Sequence, residues 1–228
     1  MKISQLLKTK KAVIFDLFHT LISFDDSGRP WTSEVLGIEH EIWSRQLVEN
    51  SPDRLLGKIK EPYELLETSV HAIDPAFPED IIRKATENRL LGMRDVIVNI
   101  DRNIIHTLQS IKDNGKKIGL ISNADYLEID SWADSPLAPI FDSTIFSCEV
   151  GLVKPQPEIY KLCLNELEVS PEDSVFVGDG GSDELLGARE IGMTTVMMTG
   201  IIKRLWPDLI VKRKDQADYI IESLTELI

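Results

Sequence analysis

Cysteine is scarce in this chain: there are two, Cys148 and Cys163, and neither has a His or Cys companion at zinc-binding spacing. A disulfide framework and a structural zinc site are excluded as fold determinants, and two buried free thiols are expected. Basic charge is also short, with 25 Lys and Arg against 38 Asp and Glu giving a formal net charge of −13. Such a surface disfavours non-specific attraction to nucleic acid or an anionic membrane, so a phosphate-bearing ligand would need a local cationic pocket. No window approaches about 18 uninterrupted apolar residues, and the start, Met1-Lys2-Ile3-Ser4-Gln5-Leu6-Leu7-Lys8, lacks the long apolar stretch of a signal peptide. The expectation is a soluble cytoplasmic protein with neither nucleic acid nor membrane as partner. Internal repeats and low-complexity tracts are absent too.

What is present describes an ordinary globular chain. Apolar residues make up 43% and charged residues 28%, with 13 Gly and 11 Pro, enough to bury a sizeable core. The 228 residues amount to one domain with a large insertion or two small domains, at roughly 100–200 residues per domain.

Four short apolar runs rich in β-formers each lead into polar residues: Ala12-Val13-Ile14-Phe15 before Asp16, Ile118-Gly119-Leu120-Ile121 before Ser122, Thr144-Ile145-Phe146 ahead of Lys154, and Val175-Phe176-Val177 before Gly178-Asp179. Continuous runs of this kind mark strands buried on both faces. Thr195-Val196-Met197-Met198 and Tyr219-Ile220-Ile221 read as a fifth and sixth strand. Helical patterns lie between them around 101–114, 156–167 and 182–191, the first closing on Asn114-Gly115. Strand and helix alternate, which predicts a parallel α/β sheet. Residues 22–99 lack any convincing strand and carry helical patterns near 33–50, 61–72 and 79–95. They read as an all-helical cap domain inserted after the first strand, leaving 1–21 and 100–228 as the α/β core. The acidic pair Asp25-Asp26 and the basic run Lys212-Arg213-Lys214 read as solvated surface, and the tryptophans Trp31, Trp43, Trp132 and Trp206 as packing residues.

In an open parallel sheet the ligand crevice lies outside the carboxyl ends of the strands, where Asp16, Ser122, Lys154 and Asp179 all fall by sequence order. A nucleophilic carboxylate, a hydroxyl donor, a cation and a metal-binding acid are what phosphoryl transfer through an aspartyl-phosphate requires. Taken singly each has a plainer explanation: a turn for Asp16, a helix N-cap for Ser122-Asn123, a surface loop for Lys154, and a turn ahead of a helix capped by Ser182 for Gly178-Asp179-Gly180-Gly181. Four such clusters in order favour chemistry.

These segments resemble the motifs of the haloacid dehalogenase (HAD) superfamily. Phe15-Asp16-Leu17-Phe18-His19-Thr20-Leu21 matches the first motif, Ile121-Ser122-Asn123 the second, Gly151-Leu152-Val153-Lys154-Pro155-Gln156-Pro157 the third, and Val177-Gly178-Asp179-Gly180-Gly181-Ser182-Asp183-Glu184 with Gly187-Ala188 the fourth. The resemblance implies a Rossmann-like core with helices on both faces and a hydrolase acting on a small phosphorylated substrate with Mg²⁺. It implies Asp16 as nucleophile and metal ligand, and Lys154 as the cation beside it. Thr20, Ser122 and the amide of Asn123 would contact the transferring group. The carbonyl of Phe18, Asp179 and one of Asp183 or Glu184 would complete the metal site. The register of Glu184-Leu185-Leu186-Gly187-Ala188 slightly favours Glu184.

Phe18 departs from the pattern, since the family's phosphatases usually carry there a second aspartate that protonates the leaving group. Such acid–base help is worth ~10²–10⁴ in rate, so either turnover on poor leaving groups is slow or His19, Asp25 or a cap residue supplies it. An aromatic at this position also resembles the 2-haloacid dehalogenases, whose halide leaves unprotonated; a non-catalytic phosphate-binding protein is a further alternative. Selectivity is expected from the cap, whose Arg29, Arg45, Arg54, Arg83 and Arg94 are candidate anion contacts.

Overall fold

The computed structural model describes residues 3–49 and 51–228. Six strands, β1 (Ala12–Phe15), β2 (Lys117–Ser122), β3 (Ser143–Phe146), β4 (Ser174–Gly178), β5 (Thr194–Met198) and β6 (Tyr219–Ile221), form one parallel sheet in the order β3-β2-β1-β4-β5-β6. Each coincides with an apolar run of the sequence. Every residue of β1 is fully buried, and alternation decides which core each enters. Val13 and Phe15 join Val175 and Val177 on one face, while Ala12 and Ile14 join Phe176 on the other.

Helices cover both faces, giving the α/β architecture expected. On the first lie α1 (Ile3–Leu7) and α7 (Arg102–Asp113), which send Ile3, Leu7, Leu108 and Ile111 into the core, together with part of a group of five inserted helices. Asn114 and a left-handed Gly115 close α7. The inserted helices are α2 (Thr32–Leu36), α3 (His40–Glu49), α4 (Ser51–Leu55), α5 (Pro62–His71) and α6 (Glu79–Val98). Past β2 come the short α8 (Tyr126–Ile129) and, directly after β3, α9 (Ser147–Val150). The second face carries α10 (Pro157–Glu166) and α11 (Glu184–Glu190); α12 (Gly200–Leu205) and α13 (Asp208–Arg213) fill the connection from β5 to β6.

Two helix boundaries differ from expectation. The pattern at 33–50 is broken at Gly37, where the amides of Gly37 and Ile38 turn back onto the carbonyls of Glu34 and Ser33 and end α2. The last helix of the fourth motif begins at Glu184, because Ser182 and Asp183 both adopt φ 52° and neither is helical.

The inserted helices bury a small core of their own from Leu36, Trp43, Leu66, Val70, Ile82 and Ala85. The second half of α6 instead sends Met93, Val96 and Ile97 into the main core. Contact is close on the sheet side as well: a Cβ on Gly57 would lie 1.9 Å from the Cys148 carbonyl oxygen, so only glycine fits. Both cysteines are free and buried, and burial pushes their thiols up to about 12. No described helix is long and apolar enough to cross a membrane.

Candidate active site

β1 pairs with β2 on one side and β4 on the other, so strand order reverses between β1 and β4 and a crevice opens at their carboxyl ends. Asp16 leaves β1 there, with its amide donating to the Val177 carbonyl at 2.9 Å, and Asp179 leaves β4 beside it. Glu184 enters from the start of α11 and Lys154 from the loop beyond α9. The Lys154 ammonium donates to Asp16 Oδ1 and to Glu184 Oε2, each at 2.5 Å. Thr20 Oγ1 donates to the other oxygen of Asp16 at 2.8 Å. All five side chains are buried. Oxygens of Asp16, Asp179 and Glu184 lie within 4.8 Å of one another.

Electrostatics follows from this crowding. Burial raises the Asp16 carboxyl above its usual range, against the pull of Lys154 and with a further push from Asp179. Glu184 is driven well above its ordinary value by burial and then by Asp16, more than Lys154 offsets. Burial alone would lower Lys154, but Asp16 and Glu184 outweigh it and the ammonium is held more firmly than usual. A cluster of oxygen donors with surplus negative charge is the kind of set that suits Mg²⁺.

The second-motif residues divide their work. Ser122 is fully buried and its hydroxyl has no partner among the described residues, a cost of roughly 1–3 kcal/mol unless a ligand oxygen satisfies it. Asn123 grips the backbone of Lys154, its Oδ1 accepting from the Lys154 amide at 2.8 Å and its Nδ2 donating to the Lys154 carbonyl at 3.1 Å. This positioning role was not legible from the motif. Neither residue caps a helix; that position belongs to Asp125, whose side chain accepts from the Glu128 amide. Phe18 lines the cleft, and its carbonyl accepts no hydrogen bond among the described residues. Asp183 lies outside the cluster: it is exposed and accepts from Gln216 Nε2 at 2.9 Å. The left-handed backbone at 182–183 turns it outward and leaves Glu184 as the inward acid.

The cleft measures about 720 Å³, and its outer wall corrects three expectations. The inserted helices contribute none of its lining residues; Leu205, Trp206, Pro207, Asp208, Leu209 and Arg213 do. Arg213, taken from sequence as solvated surface, donates to Asp179 Oδ2 at 2.5 Å. Trp206, taken as packing, is 38% exposed and meets the His19 ring edge-on at 5.0 Å. The signal was available, because the connection after β5 leaves a strand end by the same rule that placed Asp16. The inserted arginines are committed elsewhere: Arg29 to Asp95, Arg54 to Asp125, Arg83 to Glu79 and the Tyr63 ring, and Arg94 to Asp134, while Arg45 is exposed. Of the candidate acids, His19 lines the cleft, whereas Asp25 accepts from Ser23 Oγ away from it.

Known proteins resemble this chain in sequence and fold. The chain is 36% identical over 127 residues to a glyceraldehyde 3-phosphate phosphatase of Methanocaldococcus jannaschii, a match covering 54% of this chain and 53% of that one, so it spans about half the relative's length. A HAD phosphatase from Thermococcus onnurineus superimposes over 95% of both chains with a TM-score of 0.58 at 24% identity. The L-2-haloacid dehalogenase of Xanthobacter autotrophicus, with chloropropionic acid covalently bound, superimposes over 96% of both with a TM-score of 0.66 at 17% identity. At such identities the two structures establish a common fold. The model of the haloacid dehalogenase-like hydrolases matches residues 10–192, a span that takes in all four strand-end clusters and the inserted helices, and the chain belongs to that family of hydrolases.

Proposed function

We propose that the protein is a Mg²⁺-dependent phosphatase that removes the phosphoryl group of a small phosphorylated metabolite through an aspartyl-phosphate at Asp16. The observation that carries this is the buried cluster of Asp16, Asp179 and Glu184, with Lys154 bonded to Asp16 and Glu184. The phosphatase relatives support it, and a three-carbon sugar phosphate is the first substrate to try.

In this reading a carboxylate oxygen of Asp16 attacks phosphorus, forming the O–P bond as the bond to the leaving oxygen breaks; water then cleaves the acyl phosphate and restores Asp16. Lys154 keeps the nucleophile ionised and offsets charge as it reacts. Thr20 fixes the carboxylate's rotation. The Ser122 hydroxyl and the Asn123 backbone amide would donate hydrogen bonds to the phosphoryl oxygens. A magnesium ion held by Asp16, Asp179, Glu184 and the Phe18 carbonyl would neutralise the acidic cluster and polarise the phosphoryl group. Phe18 cannot transfer a proton, and His19 takes that role at the cleft wall. Residues 22–99 act as a cap domain that fixes the first-motif loop from outside the cleft, and the segment after β5 discriminates substrates.

Purified protein should release phosphate from p-nitrophenyl phosphate and glyceraldehyde 3-phosphate on addition of magnesium. His19→Gln should slow the sugar phosphate far more than the nitrophenyl ester, whose leaving group needs no proton. No magnesium-stimulated release from any phosphate ester overturns the proposal. Phe18 favours one second reading, a dehalogenase, which chloride release from 2-chloropropionate in excess EDTA would establish. Trapping beryllofluoride on Asp16 would count strongly against a purely binding role.

A further inference from the structure

The three carboxylates of the site are not neutralised by one cation. Lys154 bonds Asp16 and Glu184, and Asp179 is left to Arg213. The guanidinium reaches from the end of α13, with Nη1 2.5 Å from Asp179 Oδ2 and 3.4 Å from the Asp179 carbonyl. The other carboxylate oxygen, Oδ1, accepts from the Gly181 amide at 2.9 Å. Both oxygens of Asp179 are therefore engaged by donors. The arginine's stem lies in a groove that the fourth motif leaves open: a Cβ on Gly180 would come within 3.2 Å of Arg213 Cβ and 3.3 Å of its Cδ. With side chains 22% and 8% exposed, the pair is only weakly screened by solvent.

We propose that Arg213 is a resident counter-ion of Asp179, which a divalent cation has to displace, so that this arginine sets the metal affinity of the site. Lys154, Arg213 and a dication would together bring four positive charges to three carboxylates. A guanidinium on Asp179 Oδ2 and an ion bound to the same carboxylate also repel each other at close range. Displacement relieves both, and it uncouples α13, with Trp206 on the same wall, from the sheet. Magnesium occupancy and the substrate-facing wall are thereby linked.

This inference rests on the magnesium reading above, and its test is equilibrium binding without substrate. Isothermal titration of Mg²⁺ into wild type, Arg213→Gln and Arg213→Lys separates charge from packing. Arg213→Gln should bind magnesium about tenfold more tightly, while Arg213→Lys, which keeps the charge, should stay within about twofold of wild type. Intrinsic fluorescence should change with magnesium in wild type, and Trp206→Phe should remove most of that change. Unchanged or weaker binding in Arg213→Gln, or equal tightening in both variants, overturns this proposal while leaving the phosphatase reading intact. Absence of magnesium binding to every protein overturns the magnesium reading and this inference with it.

Discussion

The protein holds two buried charge clusters, and they are balanced differently. Between the inserted helices and α8, Arg54 bonds Asp125 at 2.5 Å and lies 3.5 Å from Glu128, and Arg89 bonds Glu128 at 2.9 Å. That is two cations for two anions: Arg54 and Arg89 hold Glu128 below its ordinary range despite burial, while burial and then Glu128 raise Asp125 against the pull of the same arginines. In the cleft, Lys154 and Arg213 face Asp16, Asp179 and Glu184, and burial with mutual repulsion holds Asp16 and Glu184 above their ordinary range. A balanced buried network ties two parts of the chain together and asks for nothing more. An acid-rich one is incomplete, and its deficit is what chemistry can use. Composition at the two sites is nearly the same; charge count distinguishes them.

The sharpest way to break this contrast is to remove one group from each cluster and read both activity and stability. Asp16→Asn should lower phosphatase turnover by ~10⁴ or more, about 5.5 kcal/mol in barrier, with no loss of thermal stability because it relieves repulsion on Glu184. Arg54→Met should do the reverse. It strands two buried carboxylates with Arg89 alone, so a loss of about 3–5 kcal/mol in urea unfolding is expected, with catalysis in the surviving folded protein close to normal. A catalytic loss in Arg54→Met that exceeds its loss of folded protein would show that the two clusters are not separable.

Magnesium should sharpen the contrast from the other side. At a concentration 100 times its dissociation constant, a ligand that binds only the native state adds about 2.7 kcal/mol. Wild type should gain that amount in magnesium-dependent unfolding, Arg54→Met should gain as much, and Asp179→Asn should gain almost nothing. A full gain in Asp179→Asn would place the ion elsewhere.

How much of this was legible in the sequence follows the same division. The inner strands were readable because they are buried on both faces and so are continuous apolar runs, the edge strand β6 was readable from its apolar run although Ile220 is half exposed, and Asp16 and Asp179 were readable because both leave those strands directly. What was not readable depended on backbone conformation or on distant pairing. The break at Gly37 interrupts a helical hydrophobic pattern without altering it. The pairing of Arg213 with Asp179 joins residues 34 apart through a connection whose helices carry no motif. The arginines of the insertion were candidates for anion contacts because sequence shows charges but not their partners, and four of them are already paired within the protein.

The smallest expected effect concerns the two neighbouring acids of the fourth motif. Sequence spacing admits both Asp183 and Glu184 as metal ligands, and successive helical positions diverge by about 100°, so one inward acid was anticipated. Left-handed backbone at Ser182 and Asp183 decides between them: Asp183 turns to the surface and pairs with Gln216, while Glu184 stays 2% exposed against Lys154. Glu184→Gln should raise the magnesium dissociation constant by roughly tenfold, as loss of a buried charge beside the ion requires. Asp183→Asn keeps the shape and much of the hydrogen bonding to Gln216, so it should change that constant by less than about twofold and stability by less than ~0.5 kcal/mol. The same titration that tests Arg213 measures both. If Asp183→Asn weakened magnesium more than Glu184→Gln, the backbone turn at 182–183 would have to reverse in the metal-bound protein, and the outward placement of Asp183 would not describe the working enzyme.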